Sequence, residues 1–486
     1  MRKLDSILVR FISTGLVISL VSLAAGAREQ DDSREAPFSP RLLSEMKRLH
    51  EAAIASDYAY RQVAHLSNNI GPRLSGSPQA EHSVKYVAER MRRLGLDVKL
   101  EKVMVPHWVR GEETGALLEY AGQAPGTAQK IILTALGGSV ATPSEGITAE
   151  VVVAESFDHL QSMGREKVAG KIVLFNVPFD QRMADQGFAG DAYGQAVAYR
   201  GGGASAAARL GAVAALNRSA GGADYRLPHT GAMNYSPDAP RIPAASVAAE
   251  DAELIAHLAA QGRVRMRLVL TPKTLPDAES HNVIADIKGS QSPEQIVIVS
   301  GHLDSWDLGT GAIDDASGVA VAMATAQLIK QLGLSPRRTI RVIAYMNEEN
   351  GLRGGTTYAE NQKTNLANHF AAIESDFGAG HPVGFFAHVD EKALPLLQPI
   401  ANMLRSSGAG VIRFVNRPVG ADISPLETAG VPGFAPISDG RAYFNYHHTA
   451  ADTLDKIVPR ELQENVAVVA VLAYALANLA EPLPRR

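Results

Sequence analysis

The chain has 486 residues, 46% hydrophobic and 20% charged, with a formal net charge of −4 from 47 basic and 51 acidic side chains. That composition suits buried cores rather than a disordered chain, and it supplies no basic field for a phosphate backbone, so nucleic acid is not an expected partner. With no cysteine, disulfides, thiolate metal ligands and a cysteine-linked lipid anchor are excluded.

In chain order, Met1, Arg2, Lys3 and Arg10 make a positive start, Phe11 to Leu23 is mostly apolar, and Ala25-Gly26-Ala27 has the small residues of a cleavage site. Residues 1–27 are therefore expected to be a signal peptide and the protein to be exported, periplasmic or secreted. No stable membrane anchor is expected after cleavage, because the apolar run is shorter than the ~20 residues of a spanning helix. Residues 28–40 are charged and poor in core formers and read as a flexible leader. Leu42, Met46 and Leu49 then recur at helical spacing. After the turn-rich GPRLSGSP (71–78), Val84, Val87, Ala88, Met91 and Leu94 mark an amphipathic helix that stops at Gly95. Leu96 to Val105 reads as a strand.

From 116 to 273 the texture is Gly- and Ala-rich, with a short strand at Lys171 to Phe175 and a small-residue helix around Ala204 to Leu216. The segment has no clustered histidines and its acids are scattered, which points to an inserted, β-rich accessory domain. The flanking pieces, 41–115 and 274–486, then form the main domain. Strands at Asn282 to Ala285, Ile296 to Val299, Ile340 to Met346 and Phe370 to Ile373 alternate with helices at Val319 to Leu332 and Thr356 to Gln362. This order predicts an α/β fold with a mostly parallel central sheet and helices on both faces, whose ligands gather beyond the carboxyl ends of the strands.

The residues at those ends carry the chemistry. GHLDSWDLGTGAIDDASG (301–318) supplies His302, a candidate metal ligand, and Asp304, which is placed to hold the other ring nitrogen and fix the tautomer. An isolated His-x-Asp also occurs around ordinary surface or core histidines. Asp314 can offer one oxygen to each of two cations, although the Asp314-Asp315 pair alone also reads as acids at a helix N-terminus, with Ser317 as a cap. Glu348 and Glu349 follow one strand and point differently, so Glu349 is assigned to metal and Glu348 to proton transfer as general base. Asp376 follows the next strand with Glu374 two positions before it, and His448 in YHHTAADT is the last ligand, with His447 as a donor to a developing oxyanion. Together these form the ligand set of a two-metal hydrolytic site.

These motifs, with ESD at 374–376, GADISPLETAGVP at 420–432 and HHTAADT at 447–453, resemble the co-catalytic zinc exopeptidase family. GKIVLFNVPF, LPHTGAMNY and RIPAASVAAEDAELI within 116–273 are similar to the protease-associated domain inserted in some of its members. The resemblance implies two Zn2+ ions, one held by His302, Asp314 and Asp376, the other by Asp314, Glu349 and His448, with Glu348 as the base and a cis peptide after Asp314. It implies a homodimer that hydrolyses dipeptides, or the N-terminal residue of short peptides, with a metal-activated water. Near the substrate pocket, Asp422 is a candidate partner for a free α-amine and Arg417 for a carboxylate; Tyr443 lies in the same region without an assigned role. A carboxypeptidase, a glutaminyl cyclase and a metal-free receptor-like binding protein on the same fold are the alternatives.

Overall fold

The computed structural model describes residues 37–485; the expected signal peptide and residues 28–36 of the expected leader lie outside them, and Ser39 caps the helix Pro40–Ala55. Among the described residues, no helix is long and apolar enough to cross a membrane.

Two eight-stranded sheets organise the chain. The first runs in spatial order Asp97–Val109, Lys273–Ile287, Arg338–Tyr345, Ser292–His302, His369–Glu374, Gly433–Ser438, Pro382–His388, Val411–Phe414. Its four central strands, from Arg338–Tyr345 to Gly433–Ser438, are parallel. Of the other pairings one is parallel and three are antiparallel, so the sheet is mixed, with a parallel centre and antiparallel flanks. At one flank Asp97–Val109 and Lys273–Ile287 pair in a long antiparallel ribbon.

Both faces of this sheet are covered, and the side-chain alternation of its strands shows how. Val297, Val299, Ile340 and Val342 face one core with Val319, Met323 and the long Pro459–Asn478 helix. Ile296, Ile298, Ile343 and Tyr345 face the other, against Tyr358, Ile423 and Leu426. The Ser317–Gln331 helix is buried almost all round, which its run of Val, Ala and Met residues permits.

The second sheet, in order Gln129–Ile131, Glu113–Glu119, Arg265–Leu270, Ile147–Ala154, Ile172–Phe175, Ala214–Arg218, Ala244–Val247, Leu133–Ala135, uses only strands between Glu113 and Leu270. The small-residue helix lies at Ala189–Arg209, earlier than expected, and Ala214–Arg218 is a strand. Gly201 to Gly203 lower helix propensity. Packing overrides it, since a Cβ on Gly203 would lie 2.9 Å from the Phe175 ring.

The two sheets meet around the loop after His302. Trp306 enters the core of the second sheet, and a Cβ on Gly137 would lie 1.9 Å from its ring. Arg110 donates to both oxygens of Asp307 (2.8 and 2.6 Å) and to Glu113 (2.7 Å). Arg73, fully buried, donates to the carbonyls of Leu303 (2.8 Å), Thr310 (2.8 Å) and Gly311 (2.7 Å), and so sets the path of this loop. Arg73→Met is expected to cost on the order of 3 kcal/mol, because these buried carbonyls lose their donor. Heat denaturation measures it, and a midpoint equal to that of the parent contradicts the assignment.

Candidate metal centre

The site lies at the carboxyl ends of three neighbouring parallel strands, as the order of elements implies. His302 ends Ser292–His302, Glu348 and Glu349 follow Arg338–Tyr345, and Asp376 follows His369–Glu374. His448, at φ 58°, comes from the late loop, and Asn347, at φ 74°, sits just before the glutamate pair. Both conformations are strained for non-glycine residues, a feature that concentrates at functional sites.

The structure brings Asp314 to the middle of these groups. Its Oδ1 lies 3.1 Å from His302 Nε2, which is also 3.2 Å from Asp376 Oδ1. Its Oδ2 lies 3.2 Å from His448 Nε2, which is also 2.9 Å from Glu349 Oε2. The two oxygens of one carboxylate thus face two separate imidazole–carboxylate sets. The Asp314–Asp315 peptide is cis.

The other ring nitrogens are committed elsewhere. His302 Nδ1 donates to the Asp304 main-chain carbonyl (3.1 Å) and His448 Nδ1 to the Thr230 carbonyl (3.2 Å), while Thr230 N–H donates back to the His448 carbonyl (2.9 Å). A neutral ring protonated at Nδ1 turns a lone pair outward at Nε2. Two such lone pairs therefore face carboxylate oxygens at hydrogen-bond distance, with His302, Asp314, Glu349 and His448 all buried. Asp314 Oδ2 and Glu349 Oε1 are buried without a hydrogen-bond partner among the described residues. Acceptors facing acceptors repel unless a proton or a cation lies between them, and nitrogen and carboxylate oxygen are donors that zinc accepts. The residues present fit such an ion.

Electrostatics carry the same message. Burial alone would depress both imidazoles, but Asp376 and Asp314 hold His302 well above its ordinary range, and Glu349 with Asp314 raise His448 to about 9. Burial and the Asp314 charge raise Glu349 to about 7. Burial likewise pushes Asp376 and Glu348 upward. Asp314 alone is held well below its usual range: burial opposes this, and His447, His302 and His448 overcome it.

Asp304 acts differently from expectation. Its carboxylate lies 3.8 Å from His302 Nδ1, and the nearer main-chain oxygen takes that role. The carboxylate instead accepts from the N–H groups of Asn347 (2.6 Å), Glu348 (3.1 Å) and Glu349 (3.4 Å) and from Ser75 Oγ (3.0 Å), so it orients the turn that presents both glutamates. Asp315, rather than Ser317, takes the N–H of Gly318 (2.8 Å), and it also accepts from His302 N–H (3.1 Å). Asp452, in the same motif as His448, accepts from Ala312 (2.7 Å) and Ile313 (2.8 Å) N–H. Glu374 holds the next loop through Asp422 N–H (3.2 Å) and Ile423 N–H (2.8 Å).

Of the substrate candidates, His447 is brought in: it stacks on His448 at 3.6 Å between ring centres, and its Nε2 lies 3.4 Å from Asp314 Oδ2. Tyr443 stacks on Phe377 at 4.7 Å and lies 4.9 Å from the His447 ring. Asp422 is buried and accepts from Gly355 N–H at Oδ1 (3.2 Å), holding the start of the Arg353–Gln362 helix. Arg417 is exposed on the rim of a cleft of about 1110 Å³ that reaches the site at Glu374 and Asp376 and is walled by Phe377 and Phe188.

The segment without clustered histidines places one beside His447. His229 is fully buried, with its Nε2 3.1 Å from His447 Nδ1. Burial and the neighbouring His448 and His447 rings hold His229 well below the ordinary imidazole range, and burial with His448 does the same to His447. Its one sequence signal was a lone histidine in LPHTGAMNY.

Against the effect of burial, the facing carboxylates raise the proton affinity of His302 and His448, so protons compete with zinc for their Nε2 atoms. Zinc affinity is expected to rise from pH 6 to 8 with net proton release, read by calorimetry in buffers of different ionisation enthalpy. Binding without proton release contradicts this.

The model of peptidase family M28 matches residues 282–473. The chain is 39% identical over 433 residues to carboxypeptidase Q from Homo sapiens, spanning 89% of this chain and 88% of that protein. A solved peptidase M28 precursor from Shewanella amazonensis superposes with a TM-score of 0.86 at 38% identity, covering 92% of this chain and 99% of that one. A zinc aminopeptidase from Bacillus subtilis shares the fold, with a TM-score of 0.61 at 22% identity over 86% of this chain and 94% of its own. The chain belongs to peptidase family M28.

Proposed function

We propose that this metallo-exopeptidase holds two zinc ions across Asp314, one with His302 and Asp376, the other with Glu349 and His448, and hydrolyses dipeptides or the N-terminal residue of short peptides. The observation that supports this reading is the division of the Asp314 oxygens between two imidazole–carboxylate sets. Zinc bound there would polarise the scissile carbonyl and bring the ionisation of water toward neutrality.

The chain's own groups do the rest. Glu348 is the more exposed of the glutamate pair and takes the proton of the attacking water. Its raised proton affinity suits it to hand that proton to the leaving amine. Asp304 keeps its carboxylate aimed by holding the backbone at 347–349. His447 donates from Nε2 to the oxygen on which charge develops. The cleft ending at Asp376 receives the peptide, with Phe377 and Phe188 as apolar walls.

The wider reading has the protein exported after loss of residues 1–27, acting as a homodimer, with residues 116–273 a protease-associated domain inserted between the two parts of the catalytic domain, 41–115 and 274–486. The separate second sheet supports that division. A carboxypeptidase mode has one observation in its favour, the exposed Arg417 at the cleft rim, which suits a free carboxylate.

Glu348→Gln is expected to keep the parent's zinc content and lose about 10²–10⁴-fold in kcat. Turnover equal to the parent contradicts its role as base. In a panel of a dipeptide with its N-acetylated and C-amidated forms, the proposed mode predicts that N-acetylation abolishes hydrolysis. Preferential cleavage of the N-acetylated form would instead identify a carboxypeptidase.

A further inference from the structure

His229 lies outside the residues matched by the family model, between the Ala214–Arg218 and Ala244–Val247 strands of the second sheet. Its backbone N–H donates to Ser219 Oγ (2.9 Å). Its Nε2 meets His447 Nδ1 at 3.1 Å, and its Nδ1 is buried without a hydrogen-bond partner among the described residues. Around the pair, Tyr193 lies edge-on to His447 at 5.2 Å and tilted to His229 at 5.6 Å, and Arg200 donates to the Tyr193 hydroxyl and the Thr230 carbonyl. Both rings thus pack against Tyr193.

A contact between two neutral imidazole nitrogens needs one proton, and there are two places for it. Were it on His447 Nδ1, the His447 Nε2 lone pair would face Asp314 Oδ2 at 3.4 Å. His229 would then carry its own proton on Nδ1, a buried donor with nothing to receive it. With the proton on His229 Nε2, His447 presents an N–H to the Asp314 carboxylate, and the unpartnered atom on His229 is only a lone pair. A buried orphan donor is rarer than an orphan acceptor, so the His229 end of the pair selects the second arrangement.

We propose that His229 is a positioning residue: by donating from Nε2 to His447 Nδ1, it holds the His447 tautomer whose Nε2–H points into the hydrolytic centre. Resting on the peptidase reading above, this makes the second sheet part of the machinery for the reaction. That sheet orients a donor for the developing oxyanion, in addition to fixing His448 through Thr230.

The test compares His229→Phe, which keeps a planar ring without a donor, with His229→Gln, whose side-chain amide nitrogen reproduces the Nε2 donor. Zinc per chain, KM, kcat and the calorimetric affinity for a phosphinic dipeptide analogue, a stable mimic of the tetrahedral oxyanion, are measured for both. His229→Phe is expected to retain zinc and a KM within about threefold of the parent, and to lose about 100-fold in kcat and in affinity for the analogue. His229→Gln is expected to recover at least about tenfold of each. Parent-like kcat and analogue affinity in His229→Phe, equal impairment of the two variants, or loss of zinc in His229→Phe would each overturn the proposal. If His229→Phe does not fold, His229→Gln is compared with His229→Asn, whose amide reproduces Nδ1 instead, and a better-performing His229→Asn overturns it. A parent inactive on every dipeptide overturns the peptidase reading itself, whereas an active parent with an unaffected His229→Phe overturns only the role of His229.

Discussion

The structure depends on a collection of acceptors that cannot lie together without positive charge between them. Main-chain carbonyls fix the ring proton of His302 and of His448 at Nδ1, so both Nε2 lone pairs turn toward Asp314, Asp376 and Glu349 at 2.9–3.2 Å. In a buried place such an arrangement costs several kcal/mol per uncompensated charge. It persists because the fold over-determines it: Asp304, Asp315, Asp452 and Glu374 each spend a carboxylate on backbone N–H groups of the loops that carry the cluster.

This scaffolding spreads beyond the first sheet. Trp306 sits in the core of the second sheet, Arg110 ties Asp307 to Glu113, and Thr230 and His229 hold the two late histidines. The segment between Glu113 and Leu270 therefore does more than decorate the main sheet. Cleft and cluster share it as well, since Phe188 walls the approach to Asp376.

Much of this was legible in the sequence, for a physical reason. Parallel strands place polar residues at their carboxyl ends, so His302, Glu348, Glu349 and Asp376, each right after an apolar run, had to converge if the runs were neighbours in one sheet. His448 followed from the motif that also carries Asp452. What stayed hidden depended on distance through space. The Thr230 carbonyl has no side-chain signature, and His229 is one of three scattered histidines in a segment whose composition gives no hint of chemistry. Asp304 was misread because two-residue spacing suggests a carboxylate–imidazole contact, whereas the main-chain oxygen is nearer by 3.1 against 3.8 Å. The antiparallel flanks of the first sheet were missed because apolar runs do not encode strand direction, and the Ala189–Arg209 helix was misplaced because its glycines conceal a packing constraint.

The central claim is that Asp314 stands between two cations. Anomalous diffraction at the zinc absorption edge, from crystals of protein purified without chelator, tests it most directly. The account predicts two peaks, one among Asp314 Oδ1, His302 and Asp376 and one among Asp314 Oδ2, His448 and Glu349. A single peak, or none beside Asp314, would contradict it.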